Sequence, residues 1–152
     1  MRYAIYPGSF NPWHEGHDDV LTKALACFDK VIIGFGVNPE KELPRESEAR
    51  AKKLDTYLER KNGYGYPVIV ETFSGLLVDF VKKHQGYDAA DQHTCAVIRG
   101  LRNGHDLQYE MNQQYWNEDL GLQIPIVYFI CDRKLSHISS SMMRLVNKMK
   151  NG

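Results

Sequence analysis

Apolar residues in this chain arrive in short unbroken runs, and between the runs they recur every three or four positions. Five runs read as strands: residues 2–6 (RYAIY), 30–35 (KVIIGF), 67–71 (PVIVE), 95–99 (CAVIR) and 124–130 (IPIVYFI). Runs that are apolar at consecutive rather than alternate positions belong to strands covered on both faces. Pro7-Gly8 stops the first of them. From His17 onward Val20, Leu21, Ala24, Leu25 and Phe28 keep helical spacing, which gives one apolar face. Arg45 to Arg60 consists largely of good helix formers. Leu76, Leu77, Phe80 and Val81 mark a third helix ending near Gly86, and His105 to Leu120 a fourth. Met142, Met143, Val146 and Met149 mark the last. Gly86 to Thr94 reads as a polar loop.

Strands alternating with helices predict an α/β fold, a five-stranded parallel sheet with helices on both faces, in a single domain over residues 1–152. Ligands of such sheets sit beyond the carboxyl ends of the strands, where loops lead into helices. The segments predicted there are GSFNPWHEGH after the first strand, NPEK after the second, RGLR after the fourth and DRKLSHISSSMMR after the fifth. Histidines, a lysine, arginines and serines therefore converge on one rim, the makings of an anion site.

Charge sharpens this picture. Nineteen basic residues balance nineteen acidic ones, so the chain lacks the diffuse positive field of a nucleic-acid binder, and any anion must be met locally. The three cysteines, Cys27, Cys95 and Cys131, are far apart and odd in number; two lie in apolar runs, and buried thiols in a reducing cytoplasm are the expectation. No signal-peptide pattern opens the chain, and no apolar run is long enough to span a bilayer.

The histidine pair His14 and His17 admits three uses. Metal ligation needs further ligands, and no second His/Cys cluster supplies them. Solvated loop histidines are the ordinary alternative. The third use follows from context: the pair opens a helix directly after a buried strand, with Gly16 between, where imidazole N–H groups and a helix N-terminus both favour a phosphate. Ser139, Ser140 and Ser141 precede another helix and exceed what one N-cap requires, so they suit outer phosphates. Arg99 and Arg102 bracket Gly100-Leu101 as a candidate phosphate fork. Lys41 and Glu110, by their surroundings alone, read as solvated charges. No Walker loop, GxGxxG or nucleophile elbow is present.

Taken together, these segments resemble a known family. GSFNPWHEGH resembles the (H/T)xGH signature of the nucleotidyltransferase superfamily, and ISSSMMR its second signature. RGLRNGHDLQYE, AIYPGSF and FSGLLVDF are similar to segments of the bacterial phosphopantetheine adenylyltransferases, and the resemblance runs from residue 3 to 145. It implies a Rossmann-like nucleotidyltransferase fold and transfer of AMP from ATP to 4′-phosphopantetheine, a step of coenzyme A biosynthesis. Mg²⁺ would arrive on the ATP phosphates. It also implies a cytoplasmic homo-oligomer, commonly a hexamer, without nucleic-acid or membrane partners. Asn11 stands where that family usually has Asp, His14 where it usually has Thr, Leu135 for Trp and Gly75 for Asp. An insertion falls around Gly86 to His93, and eleven residues follow Ser141, fewer than the family's C-terminal helix needs. GSFNP with HxGH is closer to the nicotinate or nicotinamide mononucleotide adenylyltransferases, which makes that chemistry the alternative, beside a nucleotide-binding homologue without catalysis.

Carried over by position, the resemblance implies that His17 stabilises the transition state at the α-phosphate with His14 beside it, and that Lys41 and Arg102 share the catalytic work. Ser9 would contact the acceptor phosphate and Phe10 the nucleotide through its backbone. Lys41, Leu77 and Arg99 would face the acceptor. Gly100, Leu101, Arg102 and Glu110 would line the ATP site, with Leu135, Ser136, His137, Ile138, Ser139, Ser140 and Ser141 holding adenine and the outer phosphates.

Overall fold

The computed structural model describes residues 1–85 and 94–151. Five strands form one parallel sheet: β1 (Arg2–Gly8), β2 (Lys30–Val37), β3 (Val68–Ser74), β4 (Thr94–Leu101) and β5 (Ile126–Ile130), in the order β3-β2-β1-β4-β5. Helices α1 (Glu15–Cys27), α2 (Pro44–Asn62), α3 (Leu77–Gln85) and α4 (Gly104–Asp119) follow the first four strands, and α5 (Ser140–Asn151) closes the described chain after a short 3-10 turn at Arg133–Leu135. The expected polar loop from Gly86 lies outside the described residues up to position 93, and Thr94 already belongs to β4.

Side-chain alternation in the strands assigns the faces. Ala4, Tyr6, Val31, Ile33, Phe35 and Ile98 point to the face covered by α1 and α2, where Val20, Leu21, Ala24, Leu54 and Leu58 complete the core. Tyr3, Ile5, Ile32 and Val97 point to the other face, against Val78, Phe80 and Val81 of α3 and Leu122. Both faces of β1 are therefore buried, which is why its sequence is apolar at consecutive positions.

Where element boundaries depart from the sequence reading, the causes are local. β3 begins at Val68 and β5 at Ile126, each directly after a proline that has no N–H to give the ladder. Pro67 and Pro125 instead accept, from the amides of Val31 and Val97 at 3.0 Å each. β2 and β3 run on to Val37 and Ser74 because Gly36 and Val37 stay in register with Phe73 and Ser74 at the sheet edge. Among the cysteines only Cys95 is buried; Cys131 is half-buried beyond β5 and Cys27 is exposed at the end of α1, so the expected pair of buried thiols reduces to one.

The order in which strands are added reverses between β1 and β4: β2 and β3 lie on one side of β1, β4 and β5 on the other. The carboxyl ends of β1 and β4 therefore diverge into loops on opposite faces, leaving a crevice between them.

Candidate active site

Two cavities open in that crevice. The larger, about 470 Å³, is lined by Ser9 and Phe10 after β1, His14 and His17 at the start of α1, Arg99 to Arg102 at the end of β4, Glu110 of α4, and Ile138 to Ser141 at the start of α5. The smaller, about 370 Å³, lies on the other side of Arg99 and Glu110 and takes in Gly36, Asn38, Phe73, Leu77 and the polar residues Gln113, Gln114 and Asn117 of α4. Pro7, Gly8, Arg99 and Glu110 belong to both walls.

The histidines do two things at once. His14 is the N-cap of α1, and its Nδ1 accepts from the Gly16 N–H at 3.1 Å, while His17 Nδ1 accepts from the His14 N–H at 3.1 Å. Two donors that an isolated helix end would leave unsatisfied are thereby met. A neutral imidazole whose Nδ1 accepts carries its proton on Nε2, so the caps fix both rings as Nε2–H donors. The rings stack with centroids 3.7 Å apart. Burial, together with the neighbouring His14 and Arg102, pushes the His17 pKa down to about 3, and burial and Arg102 lower that of His14. Both are neutral at physiological pH. Gly16 is required by contact rather than conformation: a Cβ there would lie 2.9 Å from His14 Cε1 and 3.0 Å from its Nδ1.

Aromatic rings hold His17 from the other sides. Phe10 meets it edge-on at 5.0 Å, and Trp13 lies tilted against it at 5.1 Å. The Trp13 indole N–H donates to Asp18 at 2.9 Å, and Asp18 also accepts from the Tyr57 hydroxyl at 2.7 Å and pairs with Lys61 at 3.1 Å. The first turn of α1 is thus tied to α2.

The two arginines do not form a free fork. Arg99 makes a two-pronged pair with Glu110 at 2.8 and 2.9 Å and donates to the Pro7 carbonyl at 3.0 Å. Burial opposes the guanidinium charge, but Glu110 outweighs it and raises the Arg99 pKa. Glu110 is therefore no solvated carboxylate: only 13% of its side chain is exposed. Arg102 pairs with Asp106 at 3.0 and 3.1 Å; burial would raise that carboxyl, yet Arg102 holds it below its ordinary range. Each arginine is oriented by a carboxylate of α4, an arrangement that shapes the strand-end loop before any ligand arrives.

The serines are likewise partly committed. Ser139 Oγ accepts from the Met142 amide at 3.1 Å, Ser140 Oγ donates to the Pro12 carbonyl at 2.9 Å, and Arg144 donates to the Asn11 carbonyl at 2.6 Å. Helix α5 therefore locks the loop that carries the histidines. Four residues of the predicted set stand apart from both cavities: Lys41, in the exposed loop after β2, and Leu135, Ser136 and His137 in the turn before α5. Leu77 lines the smaller cavity alone. Arg50 of α2 was not legible beforehand: in a helix dense with charge nothing distinguishes it, yet it reaches Glu42 and the carbonyls of Ser9 and Phe10.

Neutral N–H donors, paired arginines and the open start of α5 around a crevice at the strand ends describe a nucleotidyltransferase site, and comparison with known proteins agrees. The Cytidylyltransferase-like family model matches residues 5–146, so the chain belongs to that family. Within it the chain is a member of the phosphopantetheine adenylyltransferases. It is 36% identical over 146 residues to the phosphopantetheine adenylyltransferase of Clostridium novyi (strain NT), covering 96% of this chain and 83% of that protein. It is 35% identical over 144 residues to that of Syntrophomonas wolfei, covering 95% and 82%. Solved structures with the same fold include a bifunctional NMN adenylyltransferase/ADP ribose pyrophosphatase from Francisella tularensis (TM-score 0.65, 16% identity, 95% of this chain and 41% of that one). A putative nicotinate-nucleotide adenylyltransferase from Vibrio parahaemolyticus aligns with TM-score 0.64 at 19% identity over 95% and 85% of the two chains. These two likenesses bear on the fold alone.

Proposed function

We propose that this enzyme transfers AMP from ATP to 4′-phosphopantetheine, giving dephospho-coenzyme A and pyrophosphate. The observation that carries the reading is the pair of capped, neutral histidines sharing a cavity with Arg102 and the serines of α5, in a chain whose curated relatives carry that name. The acceptor phosphate attacks the α-phosphorus in line, a P–O bond to pyrophosphate breaks, and negative charge builds on the non-bridging oxygens. Neutral N–H donors already fixed in place stabilise that charge without reorganising. Arg102 supplies positive charge beside them. ATP belongs in the larger cavity and the acceptor's arm in the smaller one, with Arg99 and Glu110 as the shared wall.

Mg²⁺ enters this reading with the substrate. Among the described residues no group of three or more His, Cys, Asp or Glu side chains is arranged to hold a metal ion; in this reading the ion comes on the ATP phosphates. No helix among the described residues is long and apolar enough to cross a membrane, and a cytoplasmic location fits the substrates. A homo-oligomer, the hexamer of the family resemblance, fits the outward face of α4 described below.

A pyrophosphate-release assay tests the reading. ATP should yield pyrophosphate when phosphopantetheine is added and not without it. Turnover with nicotinate or nicotinamide mononucleotide but none with phosphopantetheine would assign the alternative acceptor. ATP binding with no release for any of them would mean a binding protein.

A further inference from the structure

Arg50 lies on α2, outside both cavities, yet its guanidinium gathers the loops that follow β1 and β2. Nε and Nη2 form a two-pronged pair with Glu42 at 2.7 Å each, in the loop that also carries Lys41. Nη1 donates to the Ser9 carbonyl at 2.9 Å and the Phe10 carbonyl at 3.3 Å. The cation also sits over the Phe35 ring, 5.4 Å from its centroid, so it is fixed from a third direction.

Those two carbonyl contacts have a stereochemical result. In a trans peptide the C=O of one residue and the N–H of the next point in opposite directions. Within the described residues the one cis bond is Asn11-Pro12, so the Ser9–Phe10 and Phe10–Asn11 peptides are trans. Drawing the Ser9 and Phe10 oxygens to one guanidinium turns the Phe10 and Asn11 N–H groups away from it together. Phe10 itself has φ of 42°, a left-handed conformation that a side chain with a Cβ adopts only when its surroundings hold it. Successive amides turned to one side around a left-handed residue form an anion-binding concavity. Ser9 and Phe10 both line the larger cavity.

We propose that Arg50 is a positioning residue: by holding the Ser9 and Phe10 carbonyls it removes two oxygens from the path of the nucleotide phosphates and presents the Phe10 and Asn11 amides to them. Through Glu42 the same side chain couples this loop to the one that carries Lys41. The inference rests on the reading that ATP occupies the larger cavity.

The test uses ¹⁵N-labelled full chain titrated with ATP. In the wild type the Phe10 and Asn11 amide resonances should move as ATP binds. Arg50→Met keeps the length of the side chain and loses the donors; it should weaken ATP binding by about tenfold to a hundredfold, the range for a charged hydrogen-bond donor, and abolish the shift at Phe10. Arg50→Lys cannot serve a carboxylate and two carbonyls at once and should fall between the two. If Arg50→Met does not fold, Arg50→Lys decides by the same readout. Wild-type affinity in the folded variant, or ATP binding that leaves the Phe10 and Asn11 amides unmoved, would overturn the role of Arg50 while leaving the adenylyltransferase reading intact. No ATP binding by the wild type would overturn both.

Discussion

At the level of single residues, the chemistry turns on the protonation state of His17. Its pKa of about 3, against an ordinary 6.5, means that the folded chain refuses a proton which the unfolded chain accepts between those values. Stability is therefore at its full value above about pH 6.5 and declines as pH falls toward 3, with His14 adding in the same direction. The ring should show no titration by NMR between pH 5 and 8. His17→Ala should cost about 3–4 kcal/mol of barrier, roughly a hundredfold or more in rate, by the same factor at every pH in that range. A factor that grows or shrinks with a midpoint near 6.5 would mean that the imidazolium does the work. The identity of these residues was legible in HEGH, but their tautomer was not, because it is decided by which backbone amides the folded helix end presents. Arg50 was invisible for another reason: two of its four hydrogen bonds go to main-chain oxygens, which carry no side-chain signal in a sequence.

Among the secondary elements, the approach of α1 to β4 brings His17 alongside Arg102. Gly100 makes that approach possible: a Cβ there would lie 2.7 Å from Val20 Cγ2, on a branched side chain only 3% exposed and without room to turn. Gly100→Ala should destabilise the chain by about 1–3 kcal/mol in a denaturant titration. It should also lower turnover, since the displaced helix carries the histidines. Val20→Ala, added to it, should restore part of both, the non-additivity expected of touching residues. An additive double mutant would show that α1 is positioned by other contacts. The strands and helices were legible from apolar runs, helical spacing and, for α2, a run of good helix formers. Their ends were less so: prolines at 67 and 125 trimmed two strands, and pairing at the sheet edge lengthened others beyond their apolar residues.

For the molecule as a whole, α4 is turned inside out. Its polar residues Asp106, Glu110 and Gln114 face the sheet, held by Arg102, Arg99 and the Tyr128 hydroxyl, and no residue of the helix is buried. Leu107, Met111, Tyr115 and Trp116 point outward, the last with 68% of its surface exposed. Ordinary amphipathic reasoning predicts an apolar stripe on the core side and fails here because the core side of this helix is the wall of the two cavities. An outward stripe of that kind marks an interaction surface, the one that the proposed homo-oligomer would cover. Sedimentation should find an oligomer, and Met111→Glu with Tyr115→Glu should shift it toward monomer without unfolding it; a wild-type monomer at micromolar concentration would argue against that assembly.

The reciprocal cap at the start of α1 also explains a choice in the signature itself. The (H/T)xGH pattern admits two chemically unlike residues at its first position, an imidazole and a small hydroxyl. Each has a lone pair to accept a helix amide and a separate proton left to offer: threonine through one hydroxyl, histidine through opposite edges of its ring. With His14 Nδ1 on the Gly16 amide, this chain occupies the second solution. What the cap asks of this position is an oxygen or nitrogen that can begin a helix and still face a phosphate.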